Sequence, residues 1–212
     1  HHLEELTNNV KTFSYRVLKK ECLDLPDKVY QKREVELTTE QKKVYKELKD
    51  HAIAELDSQE LVSVTSVLTQ ILRLHQVVCG FVRNDSGDEV EVKSNRLDEL
   101  INILEEVQGK TIIWANYQYD IKRILKTLHN ITGVDSVATY YGGTPDDQRQ
   151  EIIRRFQDPD SELKYLISNT QTGGYGITLT EASNVIYYSN NYDLEKRLQS
   201  EDRAHRIGQT NK

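Results

Sequence analysis

Two arginines three residues apart are the side chains of this sequence best suited to phosphate chemistry. They stand in the polar stretch LQSEDRAHRIGQ. At about 100° per residue in a helix, Gln199, Asp202, Arg203 and Arg206 fall within an arc of about 100° and share one face. Guanidinium groups stay charged, bind two oxygens at once and stabilise charge on a transferring phosphoryl group. Spacing alone leaves open the alternative of a solvated, salt-bridged helix face.

A glycine-rich loop is the second candidate for chemistry. The stretch NTQTGGYGITLTEAS follows the apolar segment KYLIS and contains Gly173, Gly174 and Gly176. Glycine permits backbone conformations that other residues avoid, and it allows a close approach to a phosphate or a sugar. The loop lacks the lysine of a P-loop and does not fit the pattern GxGxxG. A tight turn between a strand and a helix is therefore the alternative interpretation.

Trp114 and Tyr117, at the end of the apolar segment TIIWA and just after it, form a third candidate. Their rings could stack on bases or on a sugar, and aromatic packing at a strand end is the alternative. The sequence has no zinc-ligand spacing and no pattern that predicts a nucleophilic triad. We therefore predict that this chain binds no metal itself.

The elements that must position these groups alternate in type from about residue 94 onward. Short apolar segments, among them TIIWA, YLIS and VIYY, alternate with amphipathic stretches of about 10 to 15 residues. This alternation predicts an α/β fold with a mainly parallel sheet in the middle of three layers, helices covering both faces. Functional residues of such sheets gather at the carboxyl ends of the strands.

The region before residue 94 is mostly helical in pattern. The stretch TTEQKKVYKEL predicts a helix that begins with Thr38 and Gln41 at capping-box spacing. The preceding VYQKREVELT alternates loosely, which favours a strand. The polar stretch RNDSGDEVEVK predicts a loop with a hairpin tip at Ser86 and Gly87.

The last helix of the sequence carries the arginine pair. We expect Asp193 to cap it, and we expect it to continue through Ile207 and to end at Gly208. The residues expected to face the core lie on the side of the helix away from the arginines. They are Leu194, Leu198 and His205.

Composition indicates a globular protein with a well-charged surface. The 212 residues are enough for a sizeable core, and no apolar run approaches the length of a membrane span. The formal charge of −6 neither indicates nor excludes a nucleic-acid partner, because phosphate contacts need only a local basic face. The sequence contains no methionine, which suggests a piece of a longer protein.

In their order along the chain, these motifs resemble those of the Swi/Snf-type DNA translocases, a branch of the superfamily 2 helicase-like ATPases. SEDRAHRIGQ is similar to their motif VI, QTGGYGITLTEAS to motif V and GKTIIWANY to motif IV. YYGGTPDDQRQEIIRRF resembles the segment after motif IV, and LTQILRLHQVV resembles a helical insertion upstream. The likeness covers about residues 20 to 212, and motif VI is its most specific part.

The resemblance implies a C-terminal RecA-like lobe, with ATP bound between it and an N-terminal lobe. It assigns Arg203 and Arg206 as catalytic arginine fingers. The nucleotide-binding positions it implies are Gly174, Gly176, Gln199 and Asp202, of which the last two orient the arginines. The DNA-binding positions it implies are Thr170, Thr172 and Gly173, with Trp114 near the same track.

The resemblance also implies an organisation and a set of partners. Residues 1–37 are expected to lead in from the preceding lobe, 38–93 to form the helical insertion and 94–212 to form the RecA-like lobe. The expected partners are double-stranded DNA and the N-terminal lobe of the same polypeptide. That lobe would hold the Mg²⁺ of the ATP, so the fragment alone would not hydrolyse ATP. We expect a monomer that contacts no membrane.

Two departures from the family pattern bear on origin. This chain reads NNYD where many members have WWNP, and TGG where they have AGG. The divergence favours a bacterial or phage member, hence a cytoplasmic protein; a eukaryotic member would be nuclear. Two alternative functions are a non-enzymatic RecA-like scaffold that binds DNA or protein, and a strand-separating helicase of superfamily 2.

Overall fold

The computed structural model describes residues 3–15, 17, 23, 25–57, 64–84, 86–173 and 176–209, without the side chains of residues 55–57 and 64–66. In chain order the elements are α1 (Leu3–Lys11), α2 (Thr39–Asp57), α3 (Val64–Cys79), β1 (Phe81–Arg83), β2 (Glu89–Glu91), α4 (Arg96–Glu106), β3 (Lys110–Trp114), α5 (Gln118–Thr132), β4 (Val137–Tyr140), α6 (Asp146–Gln157), β5 (Tyr165–Ser168), β6 (Ala182–Tyr187) and α7 (Leu194–Ala204).

The larger sheet is parallel throughout. Its strands run in the order β4-β5-β3-β6, and every neighbouring pair is parallel. The central strand β3 is buried along its whole length, which explains why its last three residues, IIW, are apolar without alternation. Because all four strands run the same way, the loops that follow β3, β5 and β6 open at one edge of the sheet.

Helices cover both faces of this sheet. On one face α4 and α5 pack against the strands through Leu100, Leu104, Ile121, Ile124, Leu128, Ile113 and Ile167. On the other face α6 and α7 pack through Phe156, Ala204, Ile112, Trp114, Leu166 and Leu179. Neighbouring residues of β3 alternate between the two clusters, as the period of a strand requires. The predicted three-layer α/β fold is confirmed.

The capping box at the start of α2 is confirmed and also fastens α2 to α3. The Thr38 hydroxyl accepts from the Gln41 N–H at 3.1 Å, and Gln41 Oε1 accepts from the Thr38 N–H at 3.1 Å. Gln41 Nε2 donates to the carbonyl of Val77 at 2.8 Å. Gln41 is 1% exposed, so this polar side chain is buried with its partners at the junction of both helices.

The hairpin predicted after α3 is confirmed. Strands β1 and β2 pair antiparallel, and the turn between them contains Gly87 at φ +89°. Arg123 of α5 donates to the carbonyls of Cys79 and Gly80 at 3.4 and 3.5 Å. The helical region before residue 94 is thereby joined to the sheet domain through the end of α3.

The strand predicted over VYQKREVELT is wrong, because residues 25–38 form neither a strand nor a helix. Polar side chains attach this extended segment to the rest of the chain instead. Lys28 reaches Glu201, Arg33 reaches Glu106 on α4, and the Thr38 hydroxyl donates to the carbonyl of Lys93 at 2.7 Å. Within the described ranges, no helix is long and apolar enough to cross a lipid bilayer.

Candidate functional site

The arginine helix α7 begins as the sequence predicts and ends earlier. Asp193 Oδ1 accepts from the Lys196 N–H at 3.1 Å, which confirms the N-cap. The predicted end at Gly208 is wrong, because the helix stops at Ala204 and a turn follows. Gly208 adopts φ +101° within that turn. Arg203 therefore lies in the last helical turn, whereas Arg206 lies beyond it.

The core-facing side of α7 also differs from the prediction. Leu194 is 69% exposed and Leu198 is 51% exposed, and the buried residues of the helix are Ser200 and Ala204. Small side chains let the helix backbone approach β6, where the Ser200 hydroxyl lies 2.6 Å from the Tyr187 hydroxyl. The prediction that leucines face the core is wrong, since close packing of small residues sets the orientation of α7.

Both arginines reach the glycine loop at consecutive residues. Arg203 Nη1 donates to the carbonyl of Ile177 at 3.4 Å, and Arg206 Nη1 donates to the hydroxyl of Thr178 at 3.3 Å. The backbone joins the same two elements, because the Leu179 N–H donates to the carbonyl of Arg203 at 2.9 Å. Arg203 is half-buried and Arg206 is exposed. The arrangement places two guanidinium groups side by side at the surface of the loop.

Gln199 contributes to the placement of Arg203. Its backbone carbonyl accepts from Arg203 Nε at 3.2 Å, and its side-chain Nε2 donates to Glu195 at 2.8 Å. Within the described residues its Oε1 is buried and has no hydrogen-bond partner. Asp202 Oδ1 lies 4.0 Å from Lys28 Nζ, so it is close to the extended segment that precedes α2.

The glycine loop starts in a tight turn directly after β5. Asn169 Oδ1 accepts from the Thr172 N–H, and the Asn169 carbonyl accepts from the Gly173 N–H, both at 3.0 Å. Gly176 is exposed at φ +72°, with open space around the position of a Cβ. Glycine adopts this φ without strain, whereas other residues rarely do. The position therefore favours glycine, and its backbone is accessible to solvent. Gly174 lies outside the described residues.

Gly173 is a glycine for a reason other than ligand approach. A Cβ there would lie 2.7 Å from Cζ3 and 2.9 Å from Cη2 of Trp114. Trp114 is 0% exposed and belongs to the core on the α6–α7 face of the sheet. The ring is thus out of reach of DNA, and the prediction that it contacts DNA is wrong. Trp114, the last residue of the central strand, is therefore buried beneath the start of the glycine loop.

The threonines predicted to contact DNA lie at the carboxyl edge of the sheet. Thr170 follows β5, and its hydroxyl accepts from Asn191 Nδ2 at 3.2 Å. Asn191 follows β6, so this bond joins the loops of two strands that flank β3. Thr170 and Thr172 are both half-buried. They therefore line the edge of the sheet at which the glycine loop begins.

A buried acidic group that sequence reasoning missed lies under this edge. Asp120 of α5 is 0% exposed, and its Oδ2 accepts from the Ser189 hydroxyl at 3.4 Å. Burial raises the pKa of Asp120 to about 7, against the opposing effect of Arg123 and Arg96. Ser189 also accepts from the Asn116 N–H at 2.8 Å, so it bridges the loops after β3 and β6. An isolated Asp early in a helix gives no sequence signal of burial.

A second missed group is Glu201, on the face of α7 opposite Arg203. Its carboxylate accepts from Arg197 Nε at 3.0 Å, Lys28 Nζ at 3.0 Å and the Tyr30 hydroxyl at 2.8 Å. Burial acts to raise the pKa of Glu201, but the hydrogen bonds from Lys28, Tyr30 and Arg197 outweigh it, and the pKa is lowered. The spacing of Arg197 and Glu201 could have indicated their pairing, but nothing local indicated the other two partners.

Metal ligands do not gather in the part of the chain that the structure describes. No group of three or more His, Cys, Asp or Glu side chains there is placed to hold a metal ion. The groups that act on Asp120 include arginines, which repel a cation, and its hydrogen bond comes from the Ser189 hydroxyl, so within the described residues no second carboxylate completes an oxygen site there.

Comparison with known proteins identifies relatives of the whole chain. The family model described as helicase conserved C-terminal domain matches residues 92–208. The transcription regulatory protein SNF2 of Saccharomyces cerevisiae is 26% identical over 226 residues, covering 99% of this chain and 13% of that protein. An uncharacterized ATP-dependent helicase of Mycoplasma genitalium is 28% identical over 211 residues, covering 98% of this chain and 20% of that protein. The chain thus spans only a small part of the curated relatives it matches.

A solved structure extends the likeness to the fold. The Sulfolobus solfataricus SWI2/SNF2 ATPase core in complex with dsDNA matches with a TM-score of 0.70 and 26% sequence identity. The match covers 98% of this chain and 45% of that one. The helices before residue 94 are therefore included in the similarity, together with the sheet domain.

Proposed function

Because this chain belongs to the helicase conserved C-terminal domain family and is a Swi/Snf-type C-terminal RecA-like lobe, we propose that it is the second motor lobe of an ATP-dependent double-stranded DNA translocase. The observation that carries the proposal is the convergence of Arg203 and Arg206 on Ile177 and Thr178. Two guanidinium groups held beside each other on one loop suit a ligand rich in phosphate oxygens.

In this proposal Arg203 and Arg206 act as arginine fingers on ATP bound between the two lobes. Their present bonds, at 3.4 and 3.3 Å, are long, so exchange for charged phosphate oxygens is favourable. A finger contributes about 10³–10⁵ in rate, or about 4–7 kcal/mol of barrier. Gln199 orients Arg203 through its backbone carbonyl. Asp202 would orient the same end of the helix through its proximity to Lys28. The open backbone at Gly176 would approach the nucleotide, and the family motif assigns the same role to Gly174.

The proposed DNA track lies at the carboxyl edge of the sheet, where the loop that the arginines contact begins. Thr170 and Thr172 offer their hydroxyl groups to the phosphate backbone. The N–H groups of Thr172 and Gly173 would bind it by exchanging their bonds to Asn169 for a phosphate oxygen. The support is their position at the carboxyl edge and the similarity to a core whose solved structure is a complex with dsDNA. Phosphate contacts of this kind bind without reading sequence.

The proposal includes a division of labour within a longer polypeptide. Residues 1–37 lead in from the N-terminal lobe, 38–93 form a helical insertion and 94–212 form the C-terminal lobe. Mg²⁺ supplies charge neutralisation on the phosphates, and carboxylates of the other lobe would hold it, since the described part of this chain gathers no ligand set for a metal. Alone, this chain would not hydrolyse ATP. The whole would work as a monomer, in the bacterial cytoplasm or in a eukaryotic nucleus.

The test is the exchange Arg206→Ala in the full-length protein. We expect DNA-stimulated ATP hydrolysis to fall by about 10³-fold or more, while the Kd for duplex DNA changes little. Arg154→Ala is the matched control, because Arg154 is an exposed arginine of α6 that pairs with Glu151. Turnover near the wild-type value in Arg206→Ala would contradict the assignment of the fingers.

Two other results would point to the alternatives. Full-length protein that binds DNA but shows no DNA-stimulated ATP hydrolysis would be the RecA-like scaffold. Separation of duplex strands, measured beside displacement of a triplex-forming strand, would indicate a strand-separating helicase. A translocase displaces the third strand and leaves the duplex intact.

A further inference from the structure

The extended segment before α2 is attached to the arginine helix on the face away from the arginines. At about 100° per residue, Glu201 lies about 160° around α7 from Arg203. Lys28 and Tyr30 donate to the Glu201 carboxylate at 3.0 and 2.8 Å, and Arg197 donates to it at 3.0 Å. We call these four side chains the Glu201 anchor. The loop contacts of Arg203 and the Glu201 anchor hold α7 from opposite sides.

A second contact extends the attachment to the end of the helix. His205 Nε2 lies 2.8 Å from the carbonyl of Pro26, which makes this nitrogen the donor. His205 stands between Arg203 and Arg206 in sequence, directly where the helix gives way to the turn. The segment therefore contacts α7 at Glu201 and at the residue that separates the two arginines.

The segment depends on these polar contacts, because it is not packed into the core. A cavity of about 760 Å³ lies between it and the surface formed by α4, β6 and α7. Val29 is 81% exposed and Tyr30 is 68% exposed. Since little apolar surface holds the segment, a displacement of the chain upstream would act on α7 mainly through the Glu201 anchor and Pro26.

From this geometry we infer that Lys28 and Tyr30 are positioning residues for the arginine fingers: through Glu201 they hold α7 where Arg203 and Arg206 reach residues 177 and 178. The inference rests on the proposed function, in which the segment leads in from the N-terminal lobe. Movement of that lobe then changes the position of the fingers through a direct polar link, beside any effect through the nucleotide cleft.

The test uses the full-length protein with Tyr30→Phe, Lys28→Met and Glu201→Gln. We expect kcat for DNA-stimulated ATP hydrolysis to fall about 10-fold to 100-fold in Glu201→Gln, because a misplacement of a catalytic group by about 1 Å can cost about 10²-fold. KM for ATP and the Kd for duplex DNA stay near wild type. Tyr30→Phe combined with Glu201→Gln lowers kcat no further than Glu201→Gln alone, since both remove the same link.

Two control variants separate positioning from general stability. Lys32→Met breaks the exposed pair of Lys32 with Glu34 on the same segment, at 2.8 Å. Arg33→Met releases the segment from Glu99 and Glu106 on α4, away from α7. We expect both to keep the wild-type kcat. Amide hydrogen exchange in 194–204 should rise in Glu201→Gln and stay unchanged in both controls.

The outcomes distinguish this inference from the proposed function. If Arg206→Ala is inactive while all variants of the Glu201 anchor keep wild-type kcat and exchange rates, the inference is wrong. The assignment of the arginine fingers is then retained. If Arg33→Met lowers kcat as much as Glu201→Gln, the segment stabilises the fold as a whole and does not specifically position α7, so the inference is wrong. If Arg206→Ala keeps full turnover, the proposed function fails, and exchange in 194–204 alone decides whether Glu201 fixes the helix.

Discussion

Gly173 lies directly over the indole ring of Trp114, and the two residues together shape the start of the glycine loop. A Cβ on residue 173 would come within 2.7 Å of Trp114 Cζ3, closer than non-bonded carbon atoms approach. Trp114 ends the central strand β3 and is fully buried. The loop that carries Gly176 toward the arginine pair thus starts from a position that the core determines.

The first prediction follows from that contact. Gly173→Ala should lower the free energy of unfolding by about 1–3 kcal/mol, because the added methyl group has no space and neither the ring nor the backbone can move freely. Urea unfolding of the chain measures the change. Gly142→Ala is the matched control, because nothing lies within 4 Å of a Cβ at that position. Equal stability of Gly173→Ala and wild type would mean that the loop does not pack on Trp114.

The second prediction concerns the environment of Trp114, which is the only tryptophan in the chain. Its fluorescence should be quenched by iodide far less than that of free N-acetyltryptophanamide, because the ring is 0% exposed. Duplex DNA should leave the emission of the chain nearly unchanged, since a buried ring cannot stack on a base. Strong quenching by either agent would place the ring at the surface and would restore the interpretation as a DNA contact.

Local sequence patterns predicted those parts of the fold that local interactions determine. The capping box of Thr38 and Gln41 joins residues three positions apart, and the apolar runs of β3 and β5 report burial on both faces. The predicted orientation of α7 was wrong because hydrophobicity ranked its leucines above Ser200 as core residues. Close contact with β6 favours the smaller side chain, and that preference appears only when the partner strand is known.

The site was predictable in its motifs and much less so in its supports. The resemblance named the arginines and the glycine loop, and the structure brings Arg203 and Arg206 to that loop. The contact of Lys28 with Glu201 spans 173 positions of sequence, and no spacing rule covers such a distance. The burial of Asp120 likewise depends on loops and strands that meet only in the folded chain.

The third prediction concerns a lysine whose side chain binds the carbonyl groups at the C-terminal end of α6. Lys110, the first residue of β3, is 7% exposed, and its Nζ donates to the carbonyls of Arg155, Phe156 and Asp158 at the end of α6. A cation at this end also complements the helix dipole. Lys110→Met keeps the apolar stem and removes the donor, so the free energy of unfolding should fall by about 2 kcal/mol.

Urea unfolding of Lys110→Met beside Lys122→Met measures this effect. Lys122 is an exposed lysine of α5, and its replacement should change stability by less than about 0.5 kcal/mol. If the two variants unfold at the same urea concentration, the carbonyls at the end of α6 do not need the Lys110 ammonium group.

The fourth prediction is a pH dependence of stability that Asp120 causes. Burial raises the pKa of Asp120 from 3.8 to about 7 in the folded chain. Between about pH 4 and pH 7 the folded chain therefore keeps a proton that the unfolded chain releases, so the free energy of unfolding falls as pH rises through this range. If the pKa in the folded chain exceeds that in the unfolded chain by one, the free energy of unfolding changes by about 1.4 kcal/mol across the titration. We expect a total loss of about 1–3 kcal/mol, because solvent and nearby charges screen part of the effect.

Asp120→Asn tests this pH dependence, because it keeps an oxygen for the Ser189 hydroxyl and removes the ionisation. The variant should be more stable than wild type at pH 8, and the difference should vanish near pH 4. Burial lowers the pKa of His75, which acts with the opposite sign near its ordinary value of 6.5 but is common to both proteins. The difference between the two unfolding curves at each pH therefore isolates Asp120. A difference that is constant from pH 4 to pH 8 would show that Asp120 ionises as freely in the folded chain as in the unfolded one.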